Sequence, residues 1–145
     1  MTRIVGIAIA ALGAFIGAAP FLHWYRIDVP GRDLPVSGID AAGELWSLVP
    51  LGIVIVGAGL ALALLVPEPS ARQARWLAGI AAVAGAFATI WALKCAIDIP
   101  AVGVPAGVEN GPDAPLAAKP LAFIAAGAGA CVASVSLAWL RSGSD

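Results

Sequence analysis

Four long apolar runs, residues 4–22, 45–66, 76–97 and 121–140, fill most of this 145-residue chain. Lys94 is the one Asp, Glu, Lys, Arg or His inside any of them. A helix crosses the hydrocarbon core of a bilayer in roughly 20 apolar residues, and each run reaches that length. The expected fold is therefore an all-α membrane protein, a four-transmembrane-helix bundle forming one domain over residues 1–145. Charged residues make up 12% of the chain, against ~25% in soluble domains. A net charge of −1 supplies no basic patch, which argues against nucleic acid as a partner.

The connections alternate in length. Segments 23–44 and 98–120 are long and 67–75 is short, so both termini fall on the side of the short connection. Arg3, Arg72, Arg75 and Arg141 are on that side, and Arg26, Arg32, Lys94 and Lys119 are on the other. The first set is next to span ends, where the positive-inside bias acts most strongly. The expected location is the bacterial cytoplasmic membrane, multi-pass, with cytoplasmic termini and long loops outside. Arg3, the apolar run behind it and Gly17-Ala18-Ala19 also fit a secretory signal. The run is read instead as the first of four spans.

Prolines and polar residues punctuate the runs. Pro67 and Pro69 close the second, and Ser70 with Gln73 matches a capping box at the start of the third. Pro100 stops the third, and Pro120 suits the first turn of the fourth. Asp40 can cap the second helix, which would leave Pro50 inside that helix as a kink. Trp24, Tyr25, Trp46 and Trp91 fall near outer span ends, and Trp76 and Trp139 near inner ends, as expected of an interfacial aromatic belt.

The first outer loop alternates apolar and polar residues through Tyr25-Arg26-Ile27-Asp28-Val29, and the alternation resumes at Leu34 and Val36. Pro30-Gly31 between them suits a type II turn, so a short β-hairpin is expected over the bundle mouth. The second long loop is rich in Pro, Gly and Ala and reads as an extended cover.

Small residues recur at four-residue spacing: Gly13 with Gly17, Ala81 with Gly85, and Ala125, Gly129 and Ala133. Such spacing lets helix backbones approach closely where lipid provides no hydrophobic force. It serves packing inside the bundle, or docking on another membrane protein. Gly6, Gly13 and Gly17 are the stripe expected to remain free for a partner.

The four-span layout, Trp24 and the sequence Gly43-Glu44-Leu45-Trp46 resemble the claudin-like tetraspan proteins. That resemblance implies inside termini and short strands in the first outer loop. The family's paired loop cysteines have no counterpart here, and Glu44 interrupts its Gly-Leu-Trp motif. Trp24, Val36-Ser37-Gly38 and the Ala/Gly-rich spans flanking Arg72 and Arg75 are similar to small four-span actinobacterial membrane proteins, including the type encoded beside tryptophan-synthesis genes.

Chemistry-bearing residues are few. His23 is the single histidine and Met1 the single methionine, so a pair of axial haem ligands is lacking. His23 reads as an interfacial anchor, with a single axial ligand as the sharper alternative. Cys95 and Cys131 are expected at different depths, unbridged and buried. Ser134 and Ser136 are expected to bond to backbone carbonyls. Lys94 is an ionisable group within a span, a functional candidate by default. It can snorkel toward Asp98, or pair with Glu44 or Asp40, or bind an anionic headgroup.

The resulting expectation is a non-enzymatic protein with no cofactor or metal, an accessory subunit or assembly factor of a larger membrane complex. Its partners would be other integral membrane proteins and lipids, through Gly13, Gly17, Trp24, Trp46, Lys94 and Asp98. A small channel, transporter or lipid-binding protein is the alternative, and a self-assembling, homo-oligomeric tetraspan is a further one.

Overall fold

The computed structural model describes residues 2–29, 32–38, 43–64, 71–98, 116–118 and 120–142. Among these residues, four long helices carry the fold: α1 (Thr2–Ala18), α2 (Leu48–Leu64), α3 (Ala71–Ile97) and α4 (Pro120–Ser142). With the 3-10 turns that adjoin two of them, all four are long and apolar enough to cross a membrane. Three strands, β1 (His23–Val29), β2 (Arg32–Ser37) and β3 (Leu116–Ala118), form one antiparallel sheet in the order β2-β1-β3.

The helices assemble as two tight antiparallel pairs, α1 with α2 and α3 with α4. A looser α2–α3 contact and a slighter α1–α4 contact close the ring. The tight pairs follow from the small residues. A Cβ added at Gly52 would lie 2.5 Å from both the N and the Cα of Gly17. A Cβ at Gly59 would lie 2.5 Å from the backbone N of Ala10. In the second pair, a Cβ at Gly85 would lie 2.8 Å from the Gly129 carbonyl oxygen. Backbone thus rests on backbone in both pairs, the close approach that small residues permit. Thr89 adds a polar tie: its hydroxyl donates to the Gly85 carbonyl at 2.9 Å and is 3.3 Å from the Ala126 carbonyl across the pair.

These contacts correct one expectation. Gly6, Gly13 and Gly17 do not form a free stripe, because Gly59, Ala63, Ile55 and Gly52 of α2 already pack on them. The four-residue spacing serves the intramolecular pair.

Other boundaries also differ from expectation. The second helix begins with a 3-10 turn (Gly43–Ser47) and turns α-helical at Leu48. Pro50 is therefore the third residue of the α-helical segment, directly behind the 3-10 turn, and not in the helix interior. Pro120 opens α4 as expected. Asp40, Pro30-Gly31, Pro67, Pro69, Ser70 and Pro100 lie outside the described residues.

The expected hairpin is present as β1–β2, from His23↔Ser37 to Val29↔Arg32, with a register shift between His23 and Tyr25. Successive strand side chains ordinarily point to opposite faces. At this bulge both Trp24 and Tyr25 are fully buried, as a bulge's power to re-aim a side chain allows. The second long loop supplies β3, which pairs with β1 through Tyr25↔Ala118, Arg26↔Ala117 and Ile27↔Leu116. The sheet caps the end of the bundle at which α1 and α3 finish and α2 and α4 begin.

Candidate functional site

At the cap end, α3 runs out of backbone partners. The last four carbonyls of a helix have no intrahelical donor. The Asp98 N–H takes the carbonyl of Lys94 at 2.7 Å. The Tyr25 hydroxyl, reaching down from β1, donates to the carbonyl of Cys95 at 2.7 Å. Burial pushes the Tyr25 phenol up from 10.0 to about 12, with a smaller electrostatic contribution from Cys95. The phenol therefore stays protonated and donating at ordinary pH.

Trp24 fills the neighbouring space. Its indole N–H donates to the Ala19 carbonyl, in the 3-10 turn Ala19–Phe21 that ends the first helix. Gly38 closes over it: a Cβ there would lie 3.0 Å from the Trp24 ring and 2.9 Å from the Leu45 side chain. The Gly38 N–H also bonds to the Leu22 carbonyl at 3.1 Å. Trp24 and Tyr25 are thus core residues of the cap, not members of an interfacial belt.

A second cluster ties the start of α2 to the end of α3. The Lys94 ammonium is 3.0 Å from Oε2 of Glu44 and 4.9 Å from the centre of the Trp91 ring. The Trp91 indole N–H donates to the Glu44 backbone carbonyl at 3.0 Å, and the Ser47 hydroxyl donates to the same carbonyl at 2.8 Å. Among the described residues, Glu44 is the expected partner of Lys94 whose carboxylate is at hydrogen-bond distance; Asp40 lies outside them. Exposed Asp98 contributes its backbone to the helix end instead. The Lys94 and Glu44 side chains are 46% and 61% exposed, so the pair orients the turn more than it stabilises it. Beside this cluster Trp46, 52% exposed, meets Phe21 edge to face, with centroids 5.7 Å apart and planes at 84°.

The remaining candidates are dispersed. His23 is exposed at the start of β1, opposite Ser37. Among the described residues, no group of three or more His, Cys, Asp or Glu is placed to hold a metal ion. Both cysteines are free, Cys95 buried and Cys131 exposed, so the expectation of a buried Cys131 is corrected. Ser134 is exposed, and the buried Ser136 hydroxyl has no hydrogen-bond partner among the described residues. The carbonyl partner expected for Ser136 is therefore not made, whereas Thr89 makes that kind of bond.

A feature that sequence reasoning missed lies on the outside of the bundle. Between α2 and α3, an open groove of about 490 Å³ is lined by Leu51 and Val54 of α2 and by Trp76, Ile80, Val83 and Phe87 of α3. Its walls are wholly apolar. The α3 residues recur every three or four positions, so they line one helix face, a signal that was readable in the sequence. Gly79 also lines the groove, and a Cβ added there would meet nothing within 4 Å.

Comparison of the chain with protein-family models, curated proteins and solved structures finds no match.

Proposed function

We propose that the chain is a non-catalytic integral membrane protein, an accessory or assembly subunit of a larger complex in the bacterial cytoplasmic membrane. The observation that carries this reading is the pinned cap. Tyr25 fastens the sheet to α3, and Glu44 fastens the start of α2 to Trp91 and Lys94. The Phe21–Trp46 pair stands exposed beside these anchors. Aromatic side chains held on a rigid support suit protein recognition, because little conformational freedom is lost on binding. The bundle interior is Ala-, Gly- and aliphatic-rich, with Ser136 as its buried polar side chain among the described residues, a composition suited to a scaffold.

Cytoplasmic termini belong to the same reading, supported by Arg3, Arg72, Arg75 and Arg141 at the end opposite the cap. A photo-crosslinking residue in place of Trp46 is expected to capture one membrane protein in cells. The same residue at position 131, exposed on α4, is expected to capture none. Equal capture at both positions, or none at 46, contradicts the reading.

The apolar groove favours a second reading, a lipid-binding membrane protein.

A further inference from the structure

The α2–α3 groove is open, wholly apolar and walled by large exposed side chains. Its α3 wall runs from Trp76 to Phe87. At ~1.5 Å per residue that is about 16 Å, close to half of a hydrocarbon core ~30 Å thick. The groove is thus about one leaflet long. It begins at Trp76, 68% exposed at the end opposite the cap, where an amphipathic ring is at home in the headgroup region. A transmembrane helix of a partner would need a trough along the whole span, so the length favours a single acyl chain.

The polar end of such a molecule is also provided for. Arg72 precedes Trp76 by one helical turn on the same stripe and is exposed. It is in the first turn of α3, where the helix dipole favours negative charge. Cation, aromatic ring and apolar trough therefore follow one another along the stripe Arg72, Trp76, Ile80, Val83, Phe87. From this order we infer that the groove binds one anionic phospholipid of the leaflet at the Arg-bearing end, its phosphate at Arg72 and one acyl chain between α2 and α3. The inference rests on the membrane-spanning reading and is independent of any complex.

The test uses the full-length chain purified in mild detergent and analysed by native mass spectrometry with added phosphatidylglycerol or phosphatidylcholine. Wild type is expected to retain one phosphatidylglycerol in preference to phosphatidylcholine. Arg72→Gln should reduce that preference about fivefold, from ~1 kcal/mol per surface cation. Gly79→Leu puts a branched side chain on the groove wall, at a position whose Cβ would have no heavy atom within 4 Å. It should weaken retention of both lipids by more than about tenfold through lost methylene burial, with the helical circular dichroism unchanged. A phosphatidylglycerol carrying a photoreactive acyl chain should label residues 76–87 of wild type, which keeps the inference testable if a variant misfolds. Equal retention by wild type and Gly79→Leu, equal affinity for the two lipids, or labelling spread evenly over all four helices overturns it. So does a second copy or a partner helix that occupies the groove and is released by Gly79→Leu.

Discussion

The Tyr25 hydroxyl donates to the backbone carbonyl of Cys95, 2.7 Å away and 70 residues later in the chain. That bond ends a helix and anchors a sheet at once, since the carbonyl is one that α3 cannot satisfy itself. Tyr25→Phe keeps the ring and removes the donor. The expected cost is ~1–2 kcal/mol, the usual range for a lost hydrogen bond that strands a buried acceptor. Thermal unfolding in detergent measures it, and an unchanged midpoint would show that the bond contributes nothing.

The same tyrosine makes stability sensitive to alkali. Its folded-state pKa is raised to about 12 from 10.0, so the folded state holds its proton more tightly than the unfolded chain. The contribution is complete below pH 10 and is lost as pH rises from about 10 toward 12. Tyr25 is the sole tyrosine, so phenolate absorbance reads it alone. Native protein should titrate near pH 12 and denatured protein near 10; coincident titrations would contradict a buried, donating phenol.

The glycines divide into two classes with opposite expected responses. Gly52→Ala drives a methyl group into the backbone of Gly17 and should destabilise the α1–α2 pair by ~1–3 kcal/mol, as overpacking does. Gly57 and Gly127 have open space at Cβ. Alanine at either should be neutral or stabilising by up to ~1 kcal/mol through helix propensity. Equal destabilisation at all three positions would contradict the pairing of α1 with α2.

Lys94→Met removes an exposed ion pair with Glu44. Global stability should fall by no more than ~1 kcal/mol, because solvent screens such pairs. Hydrogen exchange in residues 43–47 should nevertheless quicken, since Lys94 and Trp91 hold that turn. Unchanged exchange there would deny Lys94 its role in ordering the cap.

Much of this architecture was legible because apolar run length and proline placement are local signals. The four runs and Pro120 at the first turn of α4 needed no tertiary information. The β1–β2 hairpin was legible from alternation. What escaped depended on contacts distant in sequence. Trp24 looked interfacial by position, and only a strand bulge and the cover of Gly38 bury it. The segment that became β3 shows no alternation, because Leu116-Ala117-Ala118 is apolar throughout and takes its form from β1. Small-residue spacing revealed close packing, yet could not say that α2 would use the α1 glycines first. Glu44 was foreseen as one partner of Lys94, whereas the two bonds to its backbone carbonyl had no sequence signal.

Whether this chain belongs to a larger complex is decided by the mass of the native particle. The chain would be extracted from its own membrane in mild detergent and weighed with its bound proteins by native mass spectrometry. The expected result is a hetero-complex in which one copy of this chain accompanies a larger membrane protein, and which Trp46→Ala weakens. A bare monomer or homo-oligomer with transport or turnover of its own would contradict it.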